Sequence, residues 1–173
     1  MLHPARIYDY LVISRTKVLD ATRTLTPEQY TQVFPIGLGN LARTLTHIMG
    51  SEWYYVQRML DREVPDYSTW PIQDENPPAF SVIDEHWKGV AEGTRAAIRT
   101  LDETHGWDRM LEYRYKDDQG RRMVSSATPA DQFTQVYQHE VHHRAQAVNM
   151  LKQLGITLGD LDFNTLMFTR RPE

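Results

Sequence analysis

Apolar residues recur at helical spacing in four long stretches of the chain. Ile7, Leu11 and Val18 repeat between about Pro4 and Thr22, and Leu41, Leu45, Ile48, Tyr55, Val56 and Met59 between about Asn40 and Arg62. Val82, Trp87, Val90, Ala97 and Ile98 repeat between Ser81 and about Leu101, and Phe133, Val136, Ala147, Met150, Leu151 and Leu154 between Thr128 and Gly155. Side chains three, four and seven positions apart share one helix face, so each stretch predicts an amphipathic helix with a buried stripe. The punctuation agrees. The first stretch breaks before Thr26-Pro27, and Ser81 with Asp84, and Thr128 with Pro129 and Asp131, read as helix starts in which side-chain oxygens accept first-turn N–H groups. Gly155 reads as the stop of the fourth helix.

The connecting segments differ in kind. Phe34-Pro35 and Gly37-Leu38-Gly39 form a loop before the second helix. From Glu63 to Phe80 four prolines exclude a helix, while Tyr67 and Trp70 make the segment too aromatic for a plain linker; loops of this length often cover a site. At Leu111 the period shortens from 3.6 toward 2, with Tyr113 and Tyr115 alternating with Glu112, Arg114 and Lys116, then Asp117-Asp118-Gln119-Gly120 turning the chain back into Met123 and Val124. That pattern is a short β-hairpin. After Gly155, Leu158, Leu161, Phe163, Leu166 and Phe168 are apolar enough to pack back on the helices. The expectation is a predominantly all-α fold, a four-helix bundle with a hairpin between the third and fourth long helices, in one domain spanning residues 1–173.

Charge and composition narrow the partners. With 19 Lys and Arg against 23 Asp and Glu, the formal charge is −4, and Arg121-Arg122 and Arg170-Arg171 are isolated doublets, so neither nucleic acid nor an anionic membrane is an expected partner. No apolar run is long enough to cross a bilayer and the start of the chain has no signal-peptide pattern, so a cytoplasmic protein is expected. Cysteine is absent. A metal would therefore be held by imidazole and carboxylate, and any thiol chemistry would use a thiol from outside.

The chemistry concentrates in His139-Glu140-Val141-His142-His143-Arg144-Ala145-Gln146. His139 and His143, four apart on a helix, can grip one ion together. At about 100° per residue Glu140 and His143 fall with the apolar stripe, within roughly 60° of one direction, His139 lies at its edge, and His142 points about 120° away toward solvent. A bundle builds metal sites from facing helices, so a third ligand should come from elsewhere, and the second helix offers His47. His47 lies about 120° from the middle of its own stripe, among Asn40, Thr44, Ser51 and Tyr54, a polar face suited to solvent or to a wet pocket. His86 sits beside the third stripe and reads as structural. Arg144 and Gln146 read either as partners of the histidine pair or as a solvated helix edge.

The same string also fits His-Glu-x-x-His, in which two histidines bind zinc and Glu140 would be the general base of a metallopeptidase. That motif wants a third ligand downstream, where only Asp160, Asp162 and Glu173 remain as acidic candidates, and a sheet edge to align a peptide, where only a small hairpin is at hand. Glu140 then reads as a partner of the ligands or as a base.

The chain resembles the DinB-like (damage-inducible, YfiT-like) four-helix-bundle proteins. The resemblance rests on Leu45-Thr46-His47-Ile48 with Glu52-Trp53, the hairpin turn, His139-x-x-x-His143-Arg144-Ala145-Gln146 and the Asp162-Phe163 tail, and it covers nearly the whole chain. Glycine more usually follows His-Arg in this motif, where this chain has Ala145. The resemblance implies a three-histidine site for nickel or zinc at His47, His139 and His143. It also implies transfer of a low-molecular-weight thiol to a small electrophile, with a metal-binding stress-response bundle without turnover as the alternative. A homodimer is implied too. Three imidazoles leave a coordination position open, as catalytic sites do. Tyr54 and Trp70 are the candidate walls of a substrate pocket.

Overall fold

Proline at the first turn sets the start of three helices: α1 (Pro4–Thr22), α2 (Pro27–Thr31) and, after the hairpin, α5 (Pro129–Gln153). The computed structural model describes residues 3–117 and 119–172; Met1, Leu2, Glu173 and Asp118 of the expected hairpin turn lie outside the described residues. Thr128 caps α5 as its spacing predicts, accepting from the Asp131 N–H while the Asp131 carboxylate accepts from the Thr128 N–H. The unanticipated α2 carries the same reciprocal cap between Thr26 and Gln29. Asn40 caps α3 (Leu41–Met59), which ends three residues sooner than the pattern suggests, with Asp61 two residues beyond it at φ +57°.

The start of α4 (Phe80–Glu103) differs from the expectation. Ala79, not Ser81, occupies the cap position and makes no side-chain cap bond. Asp84 instead accepts two hydrogen bonds from Arg23 at 2.9 Å, and Phe80 packs edge-on against Tyr30 at 5.7 Å, so tertiary contacts replace the local cap. The proline-rich segment holds a single turn of 3₁₀ helix at Tyr67–Thr69. Strands β1 (Leu111–Lys116) and β2 (Arg122–Ala127) pair antiparallel from Leu111 opposite Ala127 to Lys116 opposite Arg122. A short α6 (Phe163–Met167) follows, packing Phe163 and Leu166 on the bundle as expected while Phe168 stays exposed.

The core is two apolar layers with a polar layer between them. One layer contains Val18, Leu19, Leu41, Leu45, Ile48, Ile83, Trp87, Ala147 and Leu151; the other contains Ile7, Leu11, Val56, Met59, Ala97, Ile98, Phe133 and Val136. Each of the four long helices contributes to both. Midway along each helix the inward residue is polar and buried: Ser14 and Arg15 on α1, Glu52 on α3, Thr94 on α4, Glu140 and Arg144 on α5. Glu52 accepts from Tyr8, Arg15, Thr94 (2.7 Å) and the Trp87 indole (2.8 Å). Arg15 also reaches Glu140 at 3.3 Å, and Arg144 donates to Ser14 and to the Tyr10 hydroxyl at 2.6 Å. Burial alone would push the Glu52 carboxyl up, but Arg15 and these donors outweigh it and hold it below its ordinary value.

Among the described residues no helix is long and apolar enough to cross a membrane.

Candidate metal centre

Residues 139, 140, 143 and 144 form two i, i+4 pairs on α5, offset by one residue and hence by about 100°. The glutamate and arginine turn inward to the polar layer; the two histidines emerge half-buried in the groove between α5 and α3. The sequence pattern put both Glu140 and His143 with the buried stripe; Glu140 is buried as expected, whereas His143 is half-buried and Arg144 takes the inward place beside Glu140. Glu140 is held by Arg15 and lies 3.6 Å from Arg144, one of its oxygens having no hydrogen-bond partner among the described residues. Burial lifts its carboxyl to about 7, with Arg15 opposing and Glu52 reinforcing.

Across the groove α3 presents His47, flanked by the buried Thr46 and Ile48. Ring nitrogens of His47, His139 and His143 all lie within 4.8 Å of one another, and the Nε2 atoms of His47 and His139 are 3.0 Å apart. Imidazole nitrogens bound to a divalent ion at about 2.1 Å sit about 3.0–3.4 Å from their neighbours in octahedral or tetrahedral arrangements; the His47–His139 pair has that spacing, and the three rings together could hold one ion. His142 faces solvent, as expected.

Two of the three rings are held from behind. His47 Nδ1 lies 3.0 Å from the Asp74 carboxylate, and His143 Nδ1 lies 2.9 Å from the Gln146 side-chain oxygen. A neutral ring that donates from Nδ1 keeps its Nε2 lone pair for the shared point, and such partners fix ring orientation. Tyr67 donates in turn to Asp74, and Arg43 donates to the Asp74 main-chain carbonyl at 3.1 Å, tying the proline-rich segment to α3. On the other side Gly37, at φ +49°, lies so close to Gln146 that a Cβ there would fall 2.1 Å from its side-chain oxygen. Burial, followed by its histidine neighbours, pushes His139 down to about 3, and burial lowers His143 against the opposing Gln146 contact. Both rings are therefore neutral near pH 7, the state that ligates.

A cavity of 320 Å³ adjoins His47, and both expected wall residues, Tyr54 and Trp70, line it with Thr46, Ser51, Tyr67 and Asp74. The polar face of α3 thus looks into a pocket.

A sequence model of the DinB family matches residues 1–173. The chain belongs to the DinB family. A DinB-like protein from Bacillus subtilis superposes with a TM-score of 0.57 at 19% identity, covering 87% of this chain and 92% of that one. A DinB-like protein from Bacillus cereus gives 0.48 at 20% identity, covering 87% and 94%. At that identity the B. subtilis likeness speaks for the fold alone. No curated protein matches the chain.

In this DinB protein the sequence pattern left out Asp74, which reaches His47 only through the path of the proline-rich segment, and the burial of Arg15 and Glu52, which depends on their mutual contact. The adjacent Glu52-Trp53 pair was a signal of family likeness without indicating a role.

His139 also makes a pH prediction. Its folded value, about 3, lies below its ordinary 6.5, so between those values the unfolded chain takes up a proton that the folded chain refuses, and stability falls as pH drops through that window. Glu140 acts oppositely, its contribution being complete below 4.5 and lost as pH rises through about 7. Thermal melts of metal-free protein from pH 7 to pH 4 should therefore show a shallower acid loss in His139→Asn than in the parent; parallel curves would contradict this assignment.

Proposed function

We propose that this DinB protein binds a divalent ion, nickel or zinc, through His47, His139 and His143, and transfers a low-molecular-weight thiol to an electrophilic small molecule. The observation that carries the reading is the convergence of three imidazoles from two helices beside a cavity that His47 lines. A bound divalent ion with an open position favours the thiolate over the thiol near neutral pH. The chain's own residues do the rest. Asp74 and Gln146 hold two of the rings in the tautomer that ligates, and Tyr54 and Trp70 provide apolar walls for the carbon skeleton of a substrate. With no cysteine in the chain, the thiol comes from solution. Glu140, turned toward Arg15, serves the bundle rather than peptide hydrolysis.

Elemental analysis of untagged protein by plasma mass spectrometry tests the site. Near-stoichiometric nickel or zinc, lost in His47→Ala and kept in Glu140→Gln, is the expected result. No metal in the parent, or metal retained without His47, would overturn the three-histidine assignment. Thioether formation between small thiols and 1-chloro-2,4-dinitrobenzene, compared before and after metal stripping, then tests the transfer reaction; equal rates would count against it.

A further inference from the structure

The cavity beside His47 has walls suited to a cation. Tyr54, Tyr55, Tyr67 and Trp70 line it together with Asp74 and Glu75, and neither lysine nor arginine does. The Trp70 ring meets Tyr67 at 5.0 Å and 66°, and Tyr54 at 6.1 Å and 32°, so the aromatic surfaces are set at angles to one another rather than stacked flat. Aromatic faces carry negative quadrupole charge and attract ammonium groups.

The carboxylates add charge that the chain does not neutralise. The Tyr67 hydroxyl lies within hydrogen-bond reach of Asp74 and, at 2.6 Å, of Glu75, but it has one proton to give. Its own oxygen accepts from the Asp74 N–H at 3.0 Å. The other Asp74 oxygen faces His47 Nδ1. The nearby guanidinium groups do not reach the carboxylates: Arg43 bonds the Asp74 main-chain carbonyl, and Arg58 lies against the Tyr54 and Tyr113 rings at 5.2 and 4.6 Å. Neither forms an ion pair with Asp74 or Glu75 among the described residues. Two carboxylates sharing the Tyr67 hydroxyl therefore face the same cavity as four aromatic side chains.

We propose that this cavity binds the organic ammonium end of the small molecule that reaches the histidine cluster, with Tyr54, Tyr67 and Trp70 as its walls and Asp74 and Glu75 as its charge. The inference rests on the proposed function for the role of the cluster, but the ammonium binding itself needs no metal. A neutral molecule of the same shape fills the same space and forgoes both attractions. Charge and cation–π terms of ordinary size then give a preference of roughly tenfold or more.

Choline and its neutral isostere 3,3-dimethylbutan-1-ol are the probes, titrated into metal-free and zinc-loaded full-length protein by calorimetry and tryptophan fluorescence. The expected result is at least about tenfold tighter binding of choline, weakened by salt and reduced toward parity in Glu75→Gln and Trp70→Leu. Glu75 is exposed, so its variant should fold whatever happens to the tryptophan variant. Equal affinities, no choline binding at millimolar concentration, or a preference unchanged by Glu75→Gln would overturn the proposal. Zinc content measured on the same samples separates the two readings. Zinc bound without choline preference overturns the ammonium site alone, and choline preference in a protein that holds no zinc overturns the metal reading alone.

Discussion

Replacing Glu52 by leucine is expected to lower stability by about 3–5 kcal/mol, a fall of roughly 6–20 °C in Tm for a chain of this size. Glu52 is the shared acceptor of the polar layer, taking hydrogen bonds from Tyr8, Arg15, Trp87 and Thr94. Its loss strands the Tyr8 hydroxyl and Trp87 indole donors and leaves Glu140, at 3.3 Å, as the one carboxylate beside Arg15. A buried ion pair need not stabilise relative to apolar residues, because desolvating two charges costs nearly what their attraction returns; breaking one is what destabilises. The companion variant follows from that distinction. Adding Arg15→Met to Glu52→Leu leaves one carboxylate, Glu140, beside one guanidinium, Arg144, and should recover part of the loss. Urea or thermal unfolding checks both, and a double variant less stable than Glu52→Leu alone would show that Arg15 is satisfied without its partner.

His143→Ala is expected to weaken nickel or zinc binding by on the order of a hundredfold or more, with the helical circular dichroism unchanged. Losing a partner behind a ligand typically costs about ten- to a hundredfold, and losing a ligand costs more. Asp74→Ala, which removes the group behind His47 and leaves all three rings, should fall in that lower range. Competition against a chromophoric chelator measures both. If Asp74→Ala and His143→Ala weakened binding equally, Asp74 would be acting as a ligand and not as a support.

How much of this was legible from the chain depended on where the information lay. Helix periods and the Thr128-Pro129-Asp131 start are local, and they appear in the structure where the pattern puts them. The Ser81 start is local too, yet α4 begins earlier, because Asp84 is drawn to Arg23 and Phe80 to Tyr30. At the candidate site the His139 and His143 pair is written in one helix turn, and family likeness supplied His47 across the groove. Asp74 was not legible, since its pairing with His47 depends on the route of an irregular segment. On α5 the pattern placed Glu140 on the buried face, where it lies, but not Arg144. No hydrophobic pattern puts an arginine inside; only Ser14 and Tyr10, arriving from another helix, offset the cost of burying it.

The polar layer also works as a vernier between helices. Had the core been one continuous apolar seam, α3 could slide along α5 by a turn, about 5.4 Å, and still find grease to lie in. Here the same slip would carry Glu52 into an apolar layer away from Arg15, Thr94 and Trp87, so the two helices have one favoured alignment. His139 and His143 stand one residue from Glu140 and Arg144, and the gap from them to His47 spans the same two helices. A groove whose chemistry depends on fractions of an ångström thus takes its calibration from charges about 100° round the same helix.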